Sequence, residues 1–116
     1  LWGGLHPPAL DYESIEYADI AASLGKRVRL VTKIGQAESS GFYVPWAGKA
    51  DYLCWRSPDM QNFIYARKGS PAAEAIAAAR REGAQAVLYG TLVDIKEAIW
   101  MAGKHALVVD RAEPLE

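Results

Sequence analysis

The chain has 116 residues, 51% of them hydrophobic and 23% charged, with a formal charge of −1. That suffices for one domain with a single core, is too apolar for disorder, and supplies no basic surface for nucleic acid or an anionic membrane. One cysteine, Cys54, excludes an internal disulfide framework and a thiolate zinc cage, and no apolar run approaches the ~20 residues of a spanning helix. The expectation is a cytoplasmic α/β domain over 1–116, with no direct nucleic-acid partner and no membrane. Leu1 in place of an initiator methionine is read as the mark of a fragment or lobe of a longer protein.

The lead-in 1–9 carries two glycines and Pro7-Pro8 and reads as extended chain. Asp11 can cap a helix over 12–24, with Glu13 and Glu16 at its positive end. Ile15, Ala18 and Ala22 give that helix one apolar stripe, and Gly25 stops it. A strand follows over 28–32. Residues 35–59 then break the α/β rhythm with Gly41, Pro45, Gly48 and Pro58 among concentrated rings. Phe42-Tyr43-Val44 and Tyr52-Leu53-Cys54-Trp55 are short β-like runs, so an aromatic-rich hairpin or loop insertion is expected. Its rings either form a small core covering the sheet edge or line a ligand pocket or subunit interface.

Asn62 to Ala66 reads as the next strand. Ser70 caps a helix over 71–82, Pro71 takes its first position, Glu74 adds an acid in the first turn, and Gly83 closes it. The stretch 84–110 looks like the organising unit. Ala86 to Tyr89 is an apolar run ended by Gly90, Thr91 and Asp94 resemble a capping box, and Leu92, Ile95 and Ile99 recur at helical spacing up to Gly103. Ala106 to Val109 is a second apolar run. Strand, helix and strand make a βαβ unit, whose strands must be parallel. The tail after Asp110 is expected to fray. The predicted architecture is a three-layer α/β sandwich, with a mostly parallel four-stranded, flavodoxin-like or Rossmann-like sheet at 28–32, 62–66, 86–89 and 105–109.

In such a sheet ligands bind beyond the carboxyl ends of the strands, where helix N-termini point their free N–H groups. Lys33, Arg67, Lys68, Ser70, Gly90 and Thr91 would meet there as an anion site. The aromatic segment supplies a second candidate surface, Phe42, Tyr43, Trp46, Tyr52 and Trp55, with Asp51, Arg56 and Asp59 as its charged neighbours. No phosphate or dinucleotide glycine loop occurs. His6 and His105 are far apart in sequence, which argues against a metal pair. Cys54 between Leu53 and Trp55 reads as a small buried residue rather than a nucleophile. With no base–nucleophile or metal set, no catalytic residue and no cofactor are expected.

The run from Asp11 to Thr32, with Ala21-Ala22-Ser23-Leu24-Gly25-Lys26-Arg27-Val28, and the run from Phe63 to Val109 resemble one lobe of the N-terminal sensor domain of propionate-catabolism activators. The resemblance covers somewhat over half the chain, and departs from that family at 35–59, where the family has a helix. It implies a flavodoxin-like lobe that senses a small carboxylated metabolite within a transcription activator, as a homodimer or beside other domains of a parent chain. The alternative is a protein-interaction or homodimerisation module that uses the 42–55 segment and binds nothing small.

Overall fold

The computed structural model describes residues 11–38, 52–94 and 105–115. Six strands and one helix occur among them: β1 (Glu13–Ser14), β2 (Arg27–Lys33), β3 (Tyr52–Arg56), β4 (Asn62–Arg67), α1 (Pro71–Glu82), β5 (Gln85–Asp94) and β6 (His105–Pro114). They form one mixed sheet in the order β1-β2-β5-β6-β4-β3. Only β1/β2 and β4/β6 pair in parallel; β2/β5, β5/β6 and β3/β4 are antiparallel. The expected three-layer, flavodoxin-like or Rossmann-like sandwich is therefore overturned, and with it the kind of lobe that the resemblance implied.

The sheet closes on itself. Beyond β2, residues 35–38 turn along β3: Arg56 N–H donates to Gln36 O at 2.7 Å, Glu38 N–H to Cys54 O at 2.9 Å, and Ala37 bridges Trp55. A Cβ on Gly35 would lie 2.6 Å from Ser57 O, so only a bare backbone can pass there. The order around the ring is β2-β5-β6-β4-β3, with α1 between β4 and β5: a five-stranded Greek-key barrel of the OB type. Val28, Leu30, Trp55, Ile64, Leu88, Leu92, Leu107 and Val109 fill its interior. The thin face of α1, Ala72, Ala73, Ile76 and Ala79, is buried in that same cluster. A second cluster of buried residues, Cys54, Phe63, Tyr65 and Ala106, alternates with the first along its strands and so lies on the barrel's outer face. Burial on both faces explains why β4 reads as an unbroken apolar run.

Helix α1 is as expected. Ser70 Oγ accepts from Ala73 N–H at 3.1 Å, and Gly83 adopts φ 65° with its N–H on the carbonyls of Ala79 and Arg80. The helix predicted over 12–24 does not form. Glu13–Ser14 pairs with β2, and two 3-10 turns follow at Tyr17–Asp19 and Ala21–Ser23. The apolar spacing there is real, but it serves another end: Ile20 is buried and Ile15, Tyr17 and Leu24 pack against the barrel core. Strand pairing and plugging the barrel outweigh a helix propensity of tenths of a kcal/mol per residue.

The 84–110 stretch is corrected most. Gly90 does not end a strand, and Thr91 caps nothing; both lie within β5, which runs on to Asp94. Thr91 pairs with Arg27 on one side and Val108 on the other. A register shift sits between Tyr89 and Gly90, and a Cβ on Gly90 would fall 2.1 Å from Val108 O. The glycine admits the neighbouring backbone at a bulge. The proposed βαβ unit is instead antiparallel β5/β6, with the predicted helix beyond Asp94, and Gly103, outside the described residues. Nor does the tail fray up to Pro114: Ala112 pairs with Leu88 and Pro114 with Ala86.

Candidate functional site

The sequence-predicted anion rim is dispersed by this topology. Lys33 pairs with Gln85 at one end of β2 and Arg27 with Thr91 at the other. Six residue steps separate them, roughly 20 Å at the usual rise. Gly90 is buried against β6 and offers no surface. Arg67, Lys68 and Ser70 do stay together, in the turn from β4 into α1. Of the aromatic set, Tyr52 lies opposite Arg67 in the β3/β4 register, while Trp55 is inside the barrel at 4% exposure. Phe42, Tyr43 and Trp46, with Asp51, lie outside the described residues. Arg56 is held by Glu38 at 2.7 Å and lies 4.5 Å over the Phe63 ring.

A cleft of about 290 Å³ opens where Tyr52, Arg67 and Ser70 meet Val108, Val109 and Asp110. The Arg67 guanidinium lies 5.2 Å over the Tyr52 ring, with a long 3.4 Å contact to its hydroxyl. Arg67 makes no ion pair among the described residues, whereas Asp110 accepts from Tyr12 OH at 3.1 Å, and Tyr12 in turn accepts from Arg27 at 2.7 Å. The lining thus offers a guanidinium, a carboxylate, two hydroxyls and a strip of valine.

The second concentration of polar groups lies where β4 begins. Tyr17 OH is within 3.0 Å of Ser57 Oγ and 2.5 Å of Asp59 Oδ1, and it accepts from Asn62 Nδ2 at 2.6 Å. Asp59 Oδ1 also accepts from Ser57 Oγ at 2.6 Å and Gln61 N–H at 3.0 Å. Burial of Asp59 acts to raise its pKa, but the hydrogen bonds from Ser57, Tyr17 and Gln61 outweigh it and hold the carboxyl below its usual range. Burial, then Asp59, pushes the Tyr17 phenol up. This loop places Met60 at φ 64°; the sequence points to Asp59 only as a charged neighbour of the aromatic segment, not as a partner of Tyr17. Its signal was the Asx-turn chemistry of Asp59, which cannot reveal a partner 42 residues away. A cleft of about 270 Å³ beside the loop is lined by Tyr17, Gln61, Asn62 and His105.

No nucleophilic arrangement emerges among the described residues. Ser57 Oγ is engaged by Asp59, Tyr17 and Asn62 N–H, and not by the His105 ring. Burial pushes the Cys54 thiol up to about 12, so thiolate is scarce at neutral pH. No group of three or more metal-type side chains occurs among the described residues, and no helix there is long and apolar enough to cross a membrane.

No family model and no curated protein matches the chain. Solved structures do. A putative aspartyl-tRNA synthetase from Leishmania major Friedlin superposes with a TM-score of 0.56 at 11% identity, covering 89% of this chain and 20% of that one. The chain therefore shares the fold of about a fifth of the synthetase. Replication protein A from U. maydis, bound to single-stranded DNA, gives 0.45 at 11% identity over 91% of this chain and 74% of that one. A DUF3299 family protein from Pseudomonas aeruginosa PAO1 gives 0.43 at 14% identity over 97% and 76%.

Proposed function

We propose that the chain is a binding domain that takes a small organic acid in the Tyr52–Arg67–Asp110 cleft. The observation that carries this is the Arg67 guanidinium: exposed, stacked on Tyr52, and without a carboxylate partner among the described residues at the mouth of a cleft of about 290 Å³. A guanidinium presents a planar fork suited to a carboxylate. Asp110 in the same lining favours a ligand that also donates a hydrogen bond, which points to a hydroxy acid or an amino acid. The cleft lies on the face of the second and third barrel strands, here β3 and β4, where OB barrels commonly bind oligonucleotides and oligosaccharides. A sensing role within a longer regulatory chain, and a cytoplasmic setting, belong to the same proposal.

Oligonucleotide binding, a common use of OB barrels, is weaker on physical grounds. The charge is −1, and the outward rings of Phe63 and Tyr65 are each 1% exposed, so neither is open to stack on a base. The dimer reading loses Trp55 to the barrel interior.

Thermal shift with malate, glutamate and succinate is the test. Malate and glutamate should raise Tm with concentration, succinate less, because it lacks a donor for Asp110. Arg67→Ala should remove the response, and Asp110→Asn should level the three acids. No response to any acid, or a salt-dependent affinity for a single-stranded oligonucleotide in its place, would overturn the reading.

A further inference from the structure

β4 ends at the Arg67 cleft and begins at a second one, whose chemistry is different. There Asn62, Gln61, Tyr17 and His105 surround a space of about 270 Å³ floored by Ile20 and Ala21. A separate space of about 10 Å³, room for one water-sized group, lies among Leu30, Ile64, Leu92 and Leu107 and shares Tyr17, Ile20, Asn62 and His105 with it. Asn62 Nδ2 and the Tyr17 hydroxyl are locked together at 2.6 Å, so both are pre-positioned. Asn62 Oδ1, the Gln61 carboxamide and the half-buried His105 ring make no hydrogen bond with the described residues. The neighbouring Asp59 carboxylate does not line this space, and its Oδ1 is taken by Tyr17, Ser57 and Gln61 N–H.

What remains is neutral: amide donors and acceptors at one edge, two flat rings, and an aliphatic floor. Side-chain amides match an edge carrying an adjacent donor and acceptor, as on adenine N6/N7, and tyrosine and histidine rings stack on heteroaromatic faces. A space just under the ~300 Å³ at which pockets for drug-sized ligands begin suits a lone ring system. Among the described residues, no lysine or arginine lines it to hold a phosphate. We propose that the barrel-end cleft binds a neutral nitrogen heterocycle of the nucleobase type, its edge on Asn62 and Gln61 and its face against Tyr17 or His105.

The site is separate from the acid cleft, and the test keeps the two apart. Adenine and cytosine, as free bases, are titrated into the full chain while the ring signals of His105 and the side-chain amide signals of Asn62 and Gln61 are followed by NMR, with His105→Gln for assignment. Both sets should shift saturably. Gln61→Ala, which removes an exposed side chain and leaves the Gln61 N–H bond to Asp59 intact, should weaken binding roughly fivefold, the worth of one neutral hydrogen bond, at unchanged Tm. Arg67→Ala should change nothing here. Absence of shifts near base saturation, equal shifts with glucose or acetate, or an unaltered affinity in Gln61→Ala would each overturn the proposal.

Discussion

The clefts at the two ends of β4 hold their polar groups by opposite means. At the start of the strand, Tyr17, Ser57, Asp59 and Asn62 bond to one another, so the geometry is set by the fold before anything binds. At its end, Arg67 rests on Tyr52 through a ring contact and one 3.4 Å approach. Holding a long arginine costs up to ~2 kcal/mol of rotamer entropy, which a ligand there must offset on arrival. The difference teaches where each site's energy lies. The cross-bonded end contributes to stability and recognises shape; the loose end contributes charge and little stability.

Breaking both ends at once should have the largest effect. Gly90→Ala forces a Cβ onto Val108 O, and Val108 lines the acid cleft while its strand forms the barrel wall. A loss of about 3 kcal/mol or more in urea unfolding is expected. A variant as stable as its parent would mean that β5 and β6 do not meet this closely. Next comes Tyr17→Phe, which strands the amide of Asn62 and removes a donor to Asp59, for about 1–2 kcal/mol. It should leave the response to malate in place; losing that response would show the two ends to be coupled.

The pH profile sharpens the contrast more gently. Asp59 titrates lower in the folded chain than unfolded, so its contribution is present above the unfolded value of ~3.9 and disappears as pH falls through the folded one. Tyr17 titrates higher when folded, so its contribution is present below ~10 and is lost as pH rises beyond that. Tm against pH should fall off at both limbs, and Tyr17→Phe should flatten both. The smallest expected change is that of Arg67→Ala, within about 0.5 kcal/mol of the parent, since an exposed side chain without an ion pair adds little to folding. A loss above 1.5 kcal/mol would place Arg67 among the structural groups.

Much of the local structure was legible in the residues. Ser70-Pro71 and Gly83 bracket α1 because caps act through backbone groups two to four residues away. The apolar runs at 28–32, 62–66, 86–89 and 105–109 each became strands, because alternation and burial are read over a handful of positions. Gly90 shows the boundary of that legibility. A glycine after an apolar run can end a strand or let a neighbour's backbone through, and only the position of Val108 O decides between them. The same holds for Ile15, Ala18 and Ala22, whose spacing serves a helix or a plug equally well.

Of the candidate sites, Arg67, Lys68 and Ser70 were found together because they share one turn, whereas Lys33 and Thr91 were joined to them by an assumed parallel sheet. The sequence by itself determined the cores of four strands, how α1 is capped, that Cys54 is buried and that the charge is balanced. Tertiary structure alone decided strand direction, barrel closure and the meeting of Tyr17 with Asp59. Pairing direction leaves no periodic mark on a chain. It is set by which apolar faces meet across distances of tens of residues, and that energy exists only once the barrel has closed.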